Sequence, residues 1–564
     1  MPIMSPELAK YPLLAQTLLK NRGILTEEAA EKFLNPSYER DIYDPFLMLN
    51  MERAVERILQ AMDANEKIVI YGDYDCDGIP GSVVLHDFFK KISYAHFQNY
   101  IPHRHNEGYG LNVGAVEKLA GEGVTLMITV DCGITDVHEV ARANELGMDV
   151  IITDHHLPQD VVPRAYTILN SKQATDPYPD NMLCGAGVAW KLSCALLARR
   201  REAWSVPVGW EKWLLDMAGL STIADMVPLK NENRAIAYFG LKVLRKSPRL
   251  GLKKLLAKMD MPQANIVEDD VGFMIGPRIN AASRMGNPID AFRLLASTDE
   301  REAEEFADHL THLNETRKGL VASMVKEARK HIEHRNTNED LRGVIVIGNP
   351  EWRPGLAGLV ASSLVEAYAR PVFVWGRAED GTIKGSCRSD GTVNLVELMT
   401  SVTEGFFVNV GGHALAGGFS LLQDGVHTME DELVRAYQKV RFEKEKAEWT
   451  IDATLSFDDV NWSTWKIIEQ FAPFGIGNPK PTFLFEGVHL ADVRRFGKER
   501  AHLELAFENS RGVRVLAILF FATDKKYEAL VSGDKVDLVA TFDLNTFRGK
   551  RELRLRIVNV MKKS

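Results

Sequence analysis

Cysteine is scarce in this chain. Five occur in 564 residues, Cys76, Cys132, Cys184, Cys194 and Cys387, and no two are spaced C-x-x-C. Neither a disulfide framework nor a zinc site is indicated, and each thiol is expected to be a small, half-buried side chain. Long apolar runs are missing too: none approaches the roughly 18 residues that a membrane helix needs. The opening residues, MPIMSPELAKYPLL, have neither the basic start nor the apolar stretch of a secretory signal. A cytoplasmic protein with no membrane partner is the expectation. There is no internal repeat and no low-complexity segment. Positive charge is not in excess: the net charge is −9, which argues against a surface coated in basic residues. The charge is uneven, however. Residues 481–564 hold 16 Lys and Arg against 11 Asp and Glu, a modest basic bias that fits a nucleic-acid partner.

What is present is an ordinary globular balance, 45% hydrophobic and 26% charged, in a chain long enough for about three or four domains. Residues 1–45 read as an N-terminal helical segment. Over 46–250, short apolar runs (KIVIYGD, HFQNYIP, TLMITVD, DVIITD, AYTILN) alternate with helical stretches such as PGSVVLHDFFKKI and TDVHEVARANELG. That rhythm predicts an α/β fold with a parallel sheet and helices on both faces. In such sheets ligands bind beyond the carboxyl ends of the strands. Residues 251–338 read as a helical connector, with a long charged helix over 298–335. A second α/β pattern fills 339–447 from GVIVIGNP onward. Over 448–564 the pattern is mostly short strands with polar turns, which predicts a small barrel of the OB type.

The segment YGDYDCDGIPGS, residues 71–82, follows the apolar KIVI and sets Asp73, Asp75 and Asp77 at every second position. Two more predicted strands end in MITVDCG, with Asp131, and in VIITDHH, with Asp154, His155 and His156. Asp225 ends a helical stretch in GLSTIADMVPL. One strand-end Asp is commonly a turn former. Several converging at one sheet edge would raise one another's pKa unless a cation neutralised them. Oxygen donors with one or two imidazoles suit Mn²⁺ or Mg²⁺. So many acids point to two ions, about 3.5–4 Å apart and bridged by one carboxylate.

The order D-x-D-x-D, V-D-C-G, T-D-H-H, A-D-M-V-P resembles the DHH phosphoesterase superfamily. More narrowly the chain is similar to the RecJ family of bacterial single-strand-specific 5′→3′ exodeoxyribonucleases. Further matches are IPHRHNEGYGL (101–111), LCGAGVAWKL (183–192), IGPRINAASRMG (275–286), GSCRS (385–389), GGHALAGGF (411–419) and PFGIGNPKPTF (473–483). The resemblance runs from about residue 40 to the C-terminus. It names the parts: a DHH domain, a connector, a DHH-associated domain and a nucleic-acid-binding OB-like domain.

The resemblance implies that Asp75, Asp77, Asp131, His155 and Asp225 hold the metals, with Asp131 bridging. Asp73 would be a near ligand or hold a water, Asp154 would orient His155, and His156 would face the scissile phosphate. A water activated by the ions would be the nucleophile. Arg104, Arg278 and Arg284 would bind backbone phosphates, since guanidinium forks match phosphate geometry, with Asn280 donating beside them. Gly411, Gly412 and His413 would form a glycine-rich phosphate loop, with Arg388 on the opposite wall and Tyr109 available to stack on a base. In the C-terminal barrel, Arg494, Arg495, Phe496, Lys498, Phe547, Arg548 and Lys550 are candidates for gripping the strand. A monomer acting in DNA repair and recombination is implied, with a helicase and a single-strand-binding protein as partners. Strand polarity comes from the resemblance alone. The chain also departs from the family pattern: Arg353 replaces a His, Ser363 an Arg and Ser283 a Gly, and GIPGS follows Asp77 where a Thr-rich run is usual. The alternative reading is a DHH phosphodiesterase for short oligoribonucleotides or cyclic dinucleotides. The long C-terminal extension argues against it. A third reading, a structural partner that has lost its ligands, is opposed by the presence of every expected acid.

Overall fold

Uninterrupted apolar runs become strands buried on both faces. In the computed structural model, which describes residues 6–335, 342–378, 381–442, 450–497, 500–522, 527–545 and 551–563, the first sheet holds β1 (Lys67–Gly72), β2 (Phe97–Tyr100), β3 (Val124–Val130), β4 (Asp149–Thr153) and β5 (Thr167–Leu169). All neighbours are parallel, in the order β2-β1-β3-β4-β5. Ile68, Ile70, Leu126 and Ile128 pack on one face with Val84 and Phe88 of α1 (Gly78–Lys91). Val69, Met127 and Val150 pack on the other with Val116 of α2 (Val113–Gly121) and Val140 of α3 (Val137–Glu145). Helix α4 (Gly185–Arg200) joins the α1 face. The chain leaves β1 toward β2, then crosses back to β3. This reversal opens a crevice at the carboxyl ends of β1 and β3, where ligands bind in such sheets.

Two helices follow, α5 (Leu215–Ala224) and α6 (Asn231–Leu244). The helical run 268–285 contains one turn of π-helix, Val271–Ile275, and ends in α7 (Gly276–Met285). Next comes α8 (Glu300–Arg335), 36 residues or about 54 Å at the usual rise. It ties two cores together: Ala307 and Leu310 pack with the first domain, and Met324, Ala328 and Ile332 with the second.

The second sheet has strands β6 (Ile345–Gly348), β7 (Val372–Arg377), β8 (Ile383–Arg388), β9 (Asn409–Gly412) and β10 (Ala416–Leu421), in the order β6-β7-β8-β10-β9. Only β6 and β7 are parallel. Helix α9 (Pro354–Tyr368) packs on it through Leu356, Val360 and Leu364.

The third sheet runs β11 (Ala453–Thr454), β12 (Phe483–His489), β16 (Lys535–Asn545), β17 (Glu552–Lys562), β15 (Arg514–Leu519), β14 (His502–Glu508), β13 (Asp492–Phe496). Strand β12 pairs with β16, while β13 pairs with β14. Only Leu490 and Ala491 separate β12 from β13, so one bent stretch of chain closes the sheet into a barrel. With β15 and β17 parallel, this is the five-stranded OB arrangement.

The N-terminal helices belong to that barrel's core. Leu18 and Leu19 of helix Leu13–Asn21, and Ala30 and Leu34 of helix Glu27–Leu34, are buried with Phe471, Phe483 and Phe485. Asn21 Nδ2 donates to Asp452 O at 2.9 Å, and Arg22 Nε to Asn478 Oδ1 at 2.8 Å. Arg234 of α6 closes the joint: its guanidinium donates to the carbonyls of Phe33, Ala472 and Pro473 and lies 3.8 Å from the Phe33 ring centroid. Arg234→Ala leaves three carbonyls without their donor. It should cost about 2–4 kcal/mol and lower the thermal midpoint by about 5 °C or more. An unchanged midpoint would show that this joint is not holding the two domains together.

Candidate metal centre

The backbone brings the acids together before any side chain acts. Asp73 N donates to Val130 O at 3.0 Å, Asp131 N to Thr153 O at 2.9 Å and Asp154 N to Leu169 O at 3.1 Å. Each aspartate thus extends the ladder of its strand by one bond to the next strand across. The D-x-D-x-D segment, however, is not a strand tip with alternating carboxylates. Strand β1 ends at Gly72. Asp75 Oδ1 accepts from the N–H groups of Asp77 (2.7 Å) and Gly78 (3.2 Å), which turns the chain straight into α1. A Cβ on Gly78 would lie 2.6 Å from Asp73 N, so only glycine allows that turn.

Asp77 sits at the start of α4, where Gly185 N (2.6 Å) and Ala186 N (2.8 Å) donate to its two oxygens. A helix N-terminus favours an anion there. Gly185 is required for a second reason: a Cβ would meet Asp131 Cβ at 2.6 Å. Asp131 itself has φ +63°, a conformation that non-glycine residues seldom hold and that concentrates at functional sites.

These elements converge on one point. His155 Nε2 lies 3.1 Å from Asp131 Oδ1 and 3.6 Å from both Asp77 Oδ2 and Asp225 Oδ2. Three overlapping donor sets arise: Asp77, His155 and Asp225; Asp131, His155 and His156; Asp73, Asp75 and Asp131. Asp131 and His155 are shared, as a two-ion centre with a bridging ligand requires. Asp131 Oδ1 and Asp73 Oδ1 are buried yet make no hydrogen bond. An unpaired buried carboxylate oxygen is costly, and a divalent cation supplies the missing partner. Oxygen-rich ligation fits Mn²⁺ or Mg²⁺.

Electrostatics agree. Burial first, and neighbouring carboxylates second, push Asp73 and Asp131 well above the usual carboxylate range, Asp77 up to about 6 and Asp225 up to about 9. Burial holds His155 down to about 3, so it is neutral and fit to ligate.

Asp154 was expected to orient the His155 ring; the structure gives it another neighbour. Its Oδ1 accepts from His156 Nδ1 at 2.8 Å and from the backbone N–H of His155 at 2.7 Å, while Oδ2 accepts from Ile134 N at 2.9 Å. Burial lowers the His156 pKa, but the Asp154 bond together with the charges of Asp154, Asp77 and Asp75 outweighs it, and the net shift is upward. Tyr109, expected to stack on a base, is also engaged: its hydroxyl donates to Asp131 O at 3.0 Å and lies 3.0 Å from His156 Nδ1. Asp136, unremarked in the sequence, holds this loop by accepting from Leu111 N at 2.6 Å beneath Gly110.

Opposite the acids, Tyr74, Arg104, Asn280 and Arg284 complete a cavity of about 240 Å³ with Asp73, Asp75, Asp131, His156 and Asp225. Arg104 stacks 4.9 Å above the Tyr74 ring. Asn280 Oδ1 accepts from Cys76 N at 2.9 Å, tying α7 to the aspartate turn. Arg284 donates to Gly355 O at 3.1 Å, across to α9. Burial lowers its pKa to about 10, with Arg104, Arg317 and Arg388 adding to the effect. Arg317, on the charged α8, carries no motif and was missed. Arg278 does not line this cavity; its Nη1 donates to Met274 O at 2.8 Å. Arg388 lies on β8 with Nη1 on Cys387 O. Gly411, Gly412 and His413 are exposed at the end of β9, outside the cavity's lining.

A raised carboxyl pKa means the folded state holds protons that the unfolded state has lost. That contribution is complete below about pH 4 and disappears as pH rises through the folded pKa. His155 works in the opposite sense, but only below about pH 6.5. From pH 7 to 9, therefore, the metal-free protein should lose thermal stability, chiefly through Asp225. Saturating Mn²⁺ should raise the midpoint and flatten the decline, and Asp131→Ala should abolish the Mn²⁺ shift. Parallel pH profiles with and without Mn²⁺, read by calorimetry, would contradict the assignment.

Comparison with known proteins agrees with this geometry. Family models match in three places: the DHH family N-terminal domain at 67–218, the DHHA1 domain at 342–440 and the RecJ OB domain at 451–559. The single-stranded-DNA-specific exonuclease RecJ of Bacillus subtilis is 37% identical over 98% of this chain and 68% of its own. That of Escherichia coli is 31% identical over 98% and 96%. The crystal structure of Thermus thermophilus RecJ in complex with Mn²⁺ superposes with a TM-score of 0.81 at 28% identity, covering 99% of this chain and 77% of that one. A second structure of that protein holds Mg²⁺. With three domains matched and relatives 31–37% identical over nearly its full length, this chain belongs to the RecJ family of DHH phosphoesterases.

Proposed function

We propose that this chain is a metal-dependent exonuclease that hydrolyses single-stranded DNA from the 5′ end to 5′-mononucleotides, in DNA repair and recombination. The observation that carries the reading is the pairing of two walls. Seven acids and imidazoles gather on the sheet edge, and Arg104 and Arg284 face them across a cavity of about 240 Å³. A phosphodiester fits both walls once divalent ions sit on the acids: the ions on one side and the guanidinium groups on the other complement its negative charge.

Asp75, Asp77, Asp131, His155 and Asp225 hold the ions. Bound divalent ions lower the pKa of water and stabilise negative charge on phosphate. The protein's own groups do the rest. Arg104, braced on Tyr74, and Arg284, anchored to Gly355, orient the phosphate as planar forks. Asp154 accepts from His156 Nδ1 and favours the doubly protonated ring, whose Nε2–H would donate to a phosphate oxygen. A cavity of about 240 Å³ suits one strand end rather than a duplex.

The barrel supplies length preference. Phe496, His502 and Phe520 form an edge-to-face cluster, with Arg556 4.4 Å from the Phe520 ring centroid. Phe521 projects beside it, 73% exposed at φ +57°. Aromatic faces among cations are how OB barrels grip single strands. Of the sequence candidates, Arg494 and Arg495 adjoin this cluster on β13, whereas Lys498, Phe547, Arg548 and Lys550 lie outside the described residues. A cytoplasmic monomer working with a helicase and a single-strand-binding protein belongs to the same reading.

One oligonucleotide labelled at either end tests it. With Mn²⁺, the 5′ label should leave at once as a mononucleotide while the 3′ label gives a shrinking ladder. The reverse pattern would overturn the polarity, and turnover of dinucleotides only would favour the small-substrate relatives. His156→Ala should lower kcat by about 10²–10⁴ with Mn²⁺ binding retained. Phe521→Ala should raise KM about tenfold for long strands and leave short ones unchanged; equal effects on both lengths would remove the barrel from the strand's path.

A further inference from the structure

Asp225 is held differently from the other acids of the centre. It follows no strand: it caps the C-terminus of α5, and Met226 after it turns left-handed at φ +60°. The chain then runs through Val227, Pro228, Leu229 and Lys230 into α6. One side of this short segment is pinned on the first domain. Val227 is buried with Cys184 and Ala186, at the helix start that holds Asp77. The other side is pinned by the barrel domain. Leu229 N donates to Ile476 O at 2.7 Å. A Cβ on Gly475 would lie 2.9 Å from Leu229 Cδ1, and one on Gly477 would lie 3.2 Å from Lys230 Cε and 3.3 Å from Pro228 Cβ.

The barrel domain's contribution is a rigid knuckle, residues 473–479. Gly475 N donates to Asn478 O at 2.9 Å, and Asn478 N returns a bond to Gly475 O at 3.1 Å. The Asn478 side chain is buried. Its Nδ2 donates to the carbonyls of Phe471 and Pro473, both at 2.8 Å, and its Oδ1 accepts from Arg22 of the N-terminal helices. Arg22 also donates to Pro479 O at 2.8 Å. Next to the knuckle, Lys480 pairs with Asp269. Residues 473–479 do not line the cavity, so the knuckle acts on the centre only through the segment it grips.

A metal ligand has to stay within about 0.5 Å of its working position, and groups that orient ligands tune affinity nearly as much as the ligands do. We propose that the 473–479 knuckle of the barrel domain is a positioning element for the metal centre. It fixes Asp225 through the Leu229–Ile476 bond and the close approach of Gly475 and Gly477 to the segment that follows the ligand. This rests on the assignment of Asp225 to the ions. It adds a task to the barrel domain, which then supports metal binding as well as the strand.

Two substitutions in the barrel domain impose the same backbone strain and differ in what they touch. Gly477→Ala, at φ +75°, sets a methyl against Pro228 and Lys230, whereas Gly512→Ala, at φ +73°, meets nothing within 4 Å. Mn²⁺ titrations followed by the electron paramagnetic resonance signal of the free ion read affinity without turnover. Gly477→Ala should bind one of its two Mn²⁺ ions about tenfold more weakly than the wild type. Gly475→Ala, which presses on Leu229 without a left-handed φ, should do the same. Gly512→Ala should lower the thermal midpoint, as its strain requires, and keep wild-type affinity. Wild-type affinity in Gly477→Ala, or equal weakening in Gly512→Ala, would overturn the positioning role. An Asp225→Ala variant that still binds both ions with wild-type affinity would instead defeat the assignment of Asp225, and the knuckle's role with it.

Discussion

Like charge held in a buried place is the constraint on which this structure turns. Asp73, Asp77 and Asp131 are almost wholly buried, and they are fixed there by backbone bonds rather than by cations. Ladder bonds place Asp73, Asp131 and Asp154, a helix start holds Asp77, and the left-handed Asp131 is locked by the close approach of Gly185. Rigid oxygen donors of this kind cannot relax away from one another. Divalent metal relieves both the repulsion and the unpaired oxygens. The fold therefore stores, in its metal-free form, the affinity that the ions later satisfy.

Around that centre the other domains act as walls and handles. Helix α8 spans two cores and sets the second α/β domain beside Arg284, whose guanidinium reaches Gly355 O. The N-terminal helices and the OB barrel share one core, although they lie at opposite ends of the sequence, and Arg234 fastens that unit to α6. Two residue types face one another across the cavity: carboxylates and imidazoles on one wall, guanidinium groups on the other.

Much of this was legible because chemistry restricts residue type. A metal site on a parallel sheet needs acids where strands end, and KIVIYGD, MITVD and VIITD announce strand and acid together. The five strands of the first sheet, the long charged helix and the mostly-β C-terminal third follow from apolar runs and helical periodicity alone. Local turn geometry was not legible. The period-2 spacing of Asp73, Asp75 and Asp77 looked like a strand tip, but an Asx turn at Asp75 bends the chain first. Asp154 was assigned to the neighbouring ring because adjacency in sequence suggested it, whereas the backbone directs His156 Nδ1 to it. The docking of residues 6–34 on the barrel leaves no local signal, since amphipathic helices do not name their partners. Arg317 stands in a helix without a motif, and only the folded chain shows that its charge acts on Arg284.

The central claim is that the aspartate cluster exists to hold two divalent ions that share Asp131. Anomalous diffraction from a crystal of this protein grown with Mn²⁺ tests it most directly. The account predicts two anomalous peaks about 3.5–4 Å apart, both ligated by Asp131, with His155 on at least one. No peak among these residues, or a single peak that leaves Asp131 unligated, would contradict it.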